Sequence, residues 1–196
     1  MISVTPNIVI LSVVLVVAVI AVITWLFTKQ KQSQRLQRRF GPEYGRTVNE
    51  LGGRGKAESE LKERENRVAR LNITPLAPAE AGRFTQAWNS LQGRFVDNPK
   101  AVVSEADHLV RELMEKRGYP MGDFERRAAD ISVDHPRVVA TYRAAQVIAV
   151  RDERGEADTE ELRKAVVHYR TLFDELLEVE SVNPIDSAAE RVPVHS

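Results

Sequence analysis

Residues Ile8 to Phe27 read IVILSVVLVVAVIAVITWLF, a run with no charge and with hydroxyls only at Ser12 and Thr24. At about 1.5 Å per residue such a run makes a helix roughly 30 Å long, the thickness of a bilayer's hydrocarbon core. Val and Ile are poor helix formers in water. In lipid, however, every backbone N–H and C=O must be satisfied inside the segment, so a helix is the only solution for a single span. Ser12 and Thr24 can bond back to helix carbonyls. Pro6 precedes the run, where a missing N–H does no harm, and Trp25 lies near its far end, where an amphipathic ring suits the headgroup level. A cleaved signal peptide would show a positive n-region, a shorter apolar stretch and small residues at a cleavage site. Here no Lys or Arg precedes the run, and it ends in Trp-Leu-Phe-Thr-Lys. An uncleaved transmembrane anchor is therefore expected over residues 8–27, behind a short extracytoplasmic segment 1–7.

Immediately after the run come Lys29, Lys31, Arg35, Arg38 and Arg39, with no counterpart before it. The positive-inside rule then places the N-terminus outside and residues 28–196 in the cytoplasm. With Arg46 and one acid, Glu43, residues 28–46 carry +5. The whole chain has 28 basic and 28 acidic side chains, so residues 47–196 hold 22 basic and 27 acidic ones, or −5. The neutral mean conceals a basic collar and an acidic body. Collar residues set topology, and each can add about 1 kcal/mol of attraction to anionic lipid headgroups. The expected partners are thus the lipid bilayer, with anionic headgroups as candidates, and a cytoplasmic protein. Nucleic acid is not expected, because only Phe40 and Tyr44 interleave the basic cluster and no recognition module surrounds it. The chain has no cysteine, which excludes disulfide scaffolds, Cys-ligated metal sites and thiol catalysis.

Phe40-Gly41-Pro42-Glu43-Tyr44-Gly45 must interrupt a helix leaving the membrane, since Gly and Pro adjoin. Residues 47–77 then read as a charged stalk and linker. Lys56 to Leu71 is rich in helix formers with favourable i, i+4 pairs at Glu58/Lys62, Glu60/Arg64 and Glu63/Arg67, and a solvated helix is expected there. From residue 78 helical stripes follow one another. Phe84, Ala87, Trp88, Leu91 and Phe95 share one face. Asn98-Pro99 opens a second helix that stops at Gly118, and Asp123 caps a short one through Ala129. Asp134-His135-Pro136 is expected to start a fourth helix, and Asp158 with Glu161 to form the capping box of the last, whose stripe runs from Leu162 to Leu177. No strand alternation intervenes. The fold class is all-α: one transmembrane helix, a charged stalk helix and a small cytoplasmic helical bundle over residues 78–178, followed by a disordered tail 179–196.

Catalytic signals are sparse. The histidines, His108, His135, His168 and His195, form no HExxH or i, i+4 pair, and Gly-rich phosphate loops and nucleophile elbows are absent. No catalytic residue, metal site or cofactor is implied. The densest polar cluster is Asp123, Glu125, Arg126, Arg127, Asp130, Asp134 and His135. It reads as caps, ion pairs and a turn, with an enzyme site (hydrolase-like, joined by His168) as the alternative.

As a set, the strings Arg39-Phe40-Gly41-Pro42-Glu43-Tyr44-Gly45-Arg46, Arg127-Ala128-Ala129-Asp130, Ser132-Val133-Asp134-His135-Pro136 and Phe173-Asp174-Glu175-Leu176-Leu177 resemble a family of uncharacterised bacterial single-pass membrane proteins with a helical cytoplasmic region. Gly45 stands at that family's usual Asp. The resemblance covers residues 8–178 and implies the bacterial inner membrane and this architecture, with no activity attached. Protein–protein interaction or scaffolding at that membrane is the expected role.

Overall fold

The computed structural model describes residues 6–177, with side chains from Leu15 onward. Within them every regular element is an α-helix: α1 Pro6–Phe40, α2 Pro42–Leu51, α3 Arg54–Val68, α4 Pro78–Gly93, α5 Pro99–Arg117, α6 Phe124–Asp134, α7 Val139–Glu153 and α8 Thr159–Leu176. The expectations for residues 1–5 and for the tail 179–196, His195 included, lie outside the described residues.

The apolar run and the collar up to Phe40 form one continuous helix of 35 residues, with Arg46 beyond it on α2. The change at residue 27 is therefore one of composition, not of backbone, because the Lys, Gln, Arg and Leu that follow are themselves good helix formers. Thr24 donates to the Ile20 carbonyl and Thr28 to that of Trp25, 2.8 Å away, so both hydroxyls are satisfied within the helix. The large apolar side chains from Leu15 to Phe27 are all exposed, from 47% at Ile23 to 65% at Leu15. A core helix would bury them; α1 instead is a helix near the N-terminus that is long and apolar enough to cross a membrane.

The chain divides into two compact units, Met1–Lys62 and Glu63–Ser196. In the first, the expected break occurs at Gly41, whose φ of +51° is a conformation that suits glycine, and Pro42 takes the first position of α2. Phe40, Glu43, Tyr44 and Thr47 are buried. The Tyr44 hydroxyl lies 3.4 Å from Ser33 Oγ and donates to Glu58 Oε1 at 2.9 Å, tying α1 and α3 to α2. The motif around Phe40 is an elbow.

Two expectations about the stalk change. α3 is not solvated all round: Ala57, Leu61, Arg64 and Val68, at i, i+4, i+7 and i+11, are buried. Four small or spaced residues are enough for a narrow contact seam. The expected linker at residues 72–77 also makes tertiary contacts. Thr74 exchanges hydrogen bonds with Arg117, its N–H donating to the carbonyl at 3.0 Å and its carbonyl accepting from Nε at 3.2 Å. Leu76 is buried in the core.

In the second unit α8 packs against both α5 and α7, with α4 on α5 and α6 on α7. Trp88, Leu113, Met114, Ile131, Tyr142, Tyr169 and Phe173 fill one continuous core. The rings of Trp88 and Phe173 are 4.7 Å apart. The caps read from sequence are in place: Asn98 accepts from the Ala101 N–H, Gly118 closes α5 in the left-handed conformation, and Asp158 and Glu161 satisfy each other's backbone N–H. The Asp134-His135-Pro136 expectation is overturned. α6 continues past Ala129 to Asp134, and His135 is its C-cap, its carbonyl also accepting the Val138 N–H at 3.3 Å in the turn that precedes α7. Ala128, Ala129, Ile131 and Val133 are buried, so packing carries the helix on until Pro136 forces His135 out of helical geometry. Residues 136–138 form a turn and α7 starts at Val139.

Candidate functional site

A cleft of about 680 Å³ is lined by Ile73, Arg117, Tyr119, Asp134, His135, Asp174, Glu175 and Leu177. It forms where three helices end: Arg117 is the last residue of α5, Asp134 that of α6, and Asp174 and Glu175 belong to the last turn of α8. Helix C-termini present carbonyl oxygens and the negative end of the peptide dipole. Asp174 is already held by Arg170, whose Nε lies 2.7 Å from its Oδ2, but three such ends with Asp134 and Glu175 bias the cleft toward cations. Arg117, buried to 4% exposure, tempers this from inside, its Nη1 donating to the Leu176 carbonyl at 3.1 Å as a side-chain cap on α8. At the rim, His135 Nδ1 lies 3.2 Å from Glu175 Oε1, and the Tyr119 hydroxyl donates to Asp134 Oδ2 at 3.4 Å.

Of the polar cluster picked out by sequence, only Asp134 and His135 line this cleft. Asp123 accepts from the Arg126 N–H at 2.8 Å as the N-cap of α6. Glu125 pairs with Arg143 on α7. Arg127 donates to the Gly122 carbonyl at 2.5 Å and to the Tyr142 hydroxyl at 3.4 Å. Asp130 is fully buried and receives Nε and Nη2 of Arg67, both 2.7 Å from one carboxylate oxygen. The seven residues serve several local purposes rather than one site. His168 lies on α8 outside the cleft lining. His108 lines a second, smaller cleft of about 300 Å³ between α4 and α5, beside the Arg94–Glu105 ion pair.

The collar residues Lys29, Lys31, Arg35, Arg38 and Arg39 are all exposed on α1, with Lys29 Nζ 4.8 Å above the Trp25 ring. Sequence reasoning missed Arg117, Tyr119, Asp174 and Glu175. Gly118 was visible as a helix stop, and its neighbours as residues at a helix end. The inward-facing stripes did include Tyr142 and Tyr169, and desolvation pushes both hydroxyls above their ordinary range, helped for Tyr169 by the Asp107 carboxylate. Among the described residues no group of three or more His, Asp or Glu could hold a metal ion.

No protein-family model matches the chain, and neither a curated protein nor a solved structure is significantly similar to it.

Proposed function

We propose that the protein is a membrane-anchored adaptor at the bacterial inner membrane. In this reading α1 is the anchor and the acidic helical unit presents its cleft to a basic segment of a cytoplasmic protein. The observation that carries the reading is the meeting of three helix C-termini with Asp134, Asp174 and Glu175 around one opening. A Lys or Arg side chain entering there would find carboxylates at the rim and carbonyl oxygens behind them. Charge partition supports the same division of labour: residues 28–62 hold nine basic and four acidic side chains (+5), so residues 63–196 hold 19 and 24 (−5). Tethering raises the local concentration of whatever the acidic unit binds. The resemblance to bacterial single-pass proteins belongs to this proposal.

The test is site-specific photocrosslinking of the full chain in native membranes, with the crosslinking residue at Asp174 or, as a control, at the exposed Gln86. A defined protein adduct at 174, absent at 86 and lost when Asp134 and Glu175 are changed to Asn and Gln, supports the adaptor. Identical adducts at the two positions, or none at 174, refute it.

A further inference from the structure

We infer that the α2–α3 turn, Leu51 to Lys56, docks on an anionic lipid surface beside the emerging α1, giving the chain a second hold on the membrane. The inference rests on the reading of α1 as a membrane span and goes beyond it. In sequence Arg54 and Lys56 belong to the stalk, away from the collar, but the elbow brings the two together. One hydroxyl, that of Tyr44, is within hydrogen-bond reach of both Ser33 on α1 and Glu58 on α3. Lys29 lies four residues before Ser33 and Arg54 four before Glu58, so each basic residue is within about 6 Å, one helical turn, of the tie. Ser33 itself is six residues past Phe27, about 9 Å along α1. Arg54 and Lys56 thus start within about one helical turn of a point some 9 Å along α1 from Phe27, a span that their long side chains can cover to a charged surface there.

The chemistry of the turn fits such a surface. Arg54 and Lys56 are exposed, and among the described residues no ion pair occupies either. The first turn of α3 holds no acid, so the positive end of its dipole adds to theirs. Gly55 has nothing within 4 Å of where a side chain would start and lies in the first turn of α3, where backbone N–H groups lack intrahelical partners, whereas the Gly53 N–H already donates to the Val48 carbonyl at 3.2 Å. Leu51, 38% exposed, supplies an apolar contact on the same turn. Lys29, Lys31 and Arg38 stand exposed on the adjoining stretch of α1, so the lipid-facing charge comes from two segments rather than one.

Because the chain has no cysteine, single nitroxide labels can be placed without background. Label Gly55→Cys or Ala18→Cys in the full chain, reconstitute it in phosphatidylcholine vesicles with or without about one-third phosphatidylglycerol, and measure access to a water-soluble nickel chelate and to oxygen. Docking predicts that the label at 55 is shielded from the chelate only when phosphatidylglycerol is present. The Arg54→Gln/Lys56→Gln variant should cut the docked-to-undocked ratio about 30-fold, and high salt should reproduce the loss without mutation. If the label at 18 sits in oxygen-rich hydrocarbon while that at 55 is equally accessible in both lipids, the docking is wrong and the anchor stands. If the label at 18 is aqueous, the anchor reading fails and takes the docking with it.

Discussion

Removing the Arg67 guanidinium should be among the costliest single changes in the helical unit. The Asp130 side chain is 1% exposed and its Oδ1 takes both contacts from Arg67. Its other oxygen is buried with no hydrogen-bond partner. Arg67→Met therefore strands a carboxylate with no cation, a situation that costs about 3–5 kcal/mol. Asp130→Ala is milder, about 1–3 kcal/mol, because Arg67 is 17% exposed and can turn its charge to water. The double variant Arg67→Met/Asp130→Leu removes both charges and should recover to within about 1 kcal/mol of the native chain. The assay is urea unfolding of the full chain in micelles, read by Trp88 fluorescence in a Trp25→Phe background. If Arg67→Met costs less than about 1 kcal/mol, or the double variant is as unstable as the single one, the pair behaves as an ordinary surface ion pair and does not hold the end of α3 in place.

Other expectations follow from particular positions. Gly118→Ala should destabilise by more than about 2 kcal/mol, since φ is +96° and the added Cβ would lie 2.3 Å from the Asn72 carbonyl oxygen; a thermal shift matching that of Gly45→Ala, where nothing lies within 4 Å, would contradict this. Asp123→Ala should cost about 1 kcal/mol as a lost N-cap and Asp123→Asn, which keeps an acceptor for the Arg126 N–H, much less; equal costs by urea unfolding would contradict the capping role. Burial raises the Tyr142 and Tyr169 hydroxyls, so the unfolded chain gives up these protons first. Stability is full below about pH 10 and is lost as pH climbs past that value. Urea midpoints should fall there, and less steeply in Tyr169→Phe; unchanged slopes would refute the assignment.

Much of the fold was legible because it depends on local chemistry. Asn98 before Pro99, Gly118 after Arg117 and the Asp158–Glu161 box each act within one helical turn, and the apolar run at Ile8–Phe27 reads by length alone. Pro136 misled because proline both opens helices and ends them. Here the buried Ala128, Ala129, Ile131 and Val133 decided for ending, which is a matter of packing. The seam on α3 escaped because Ala57, Leu61, Arg64 and Val68 are outnumbered by charged neighbours. The cleft was illegible for a different reason. Periodicity says which face of a helix turns inward, whereas Arg117, Asp134 and Glu175 meet because the ends of α5, α6 and α8 coincide. That is set by helix lengths and by packing between elements far apart in the chain.

The central claim, an anchor that holds the helical unit at the cytoplasmic face, is tested most directly by a single reporter at Gln86→Cys in membrane-integrated full chain. A membrane-impermeant maleimide should leave it unlabelled in intact cells and label it fully once the inner membrane is permeabilised. Full labelling in intact cells, or recovery of the chain in the soluble fraction after alkaline carbonate washing, would contradict the account.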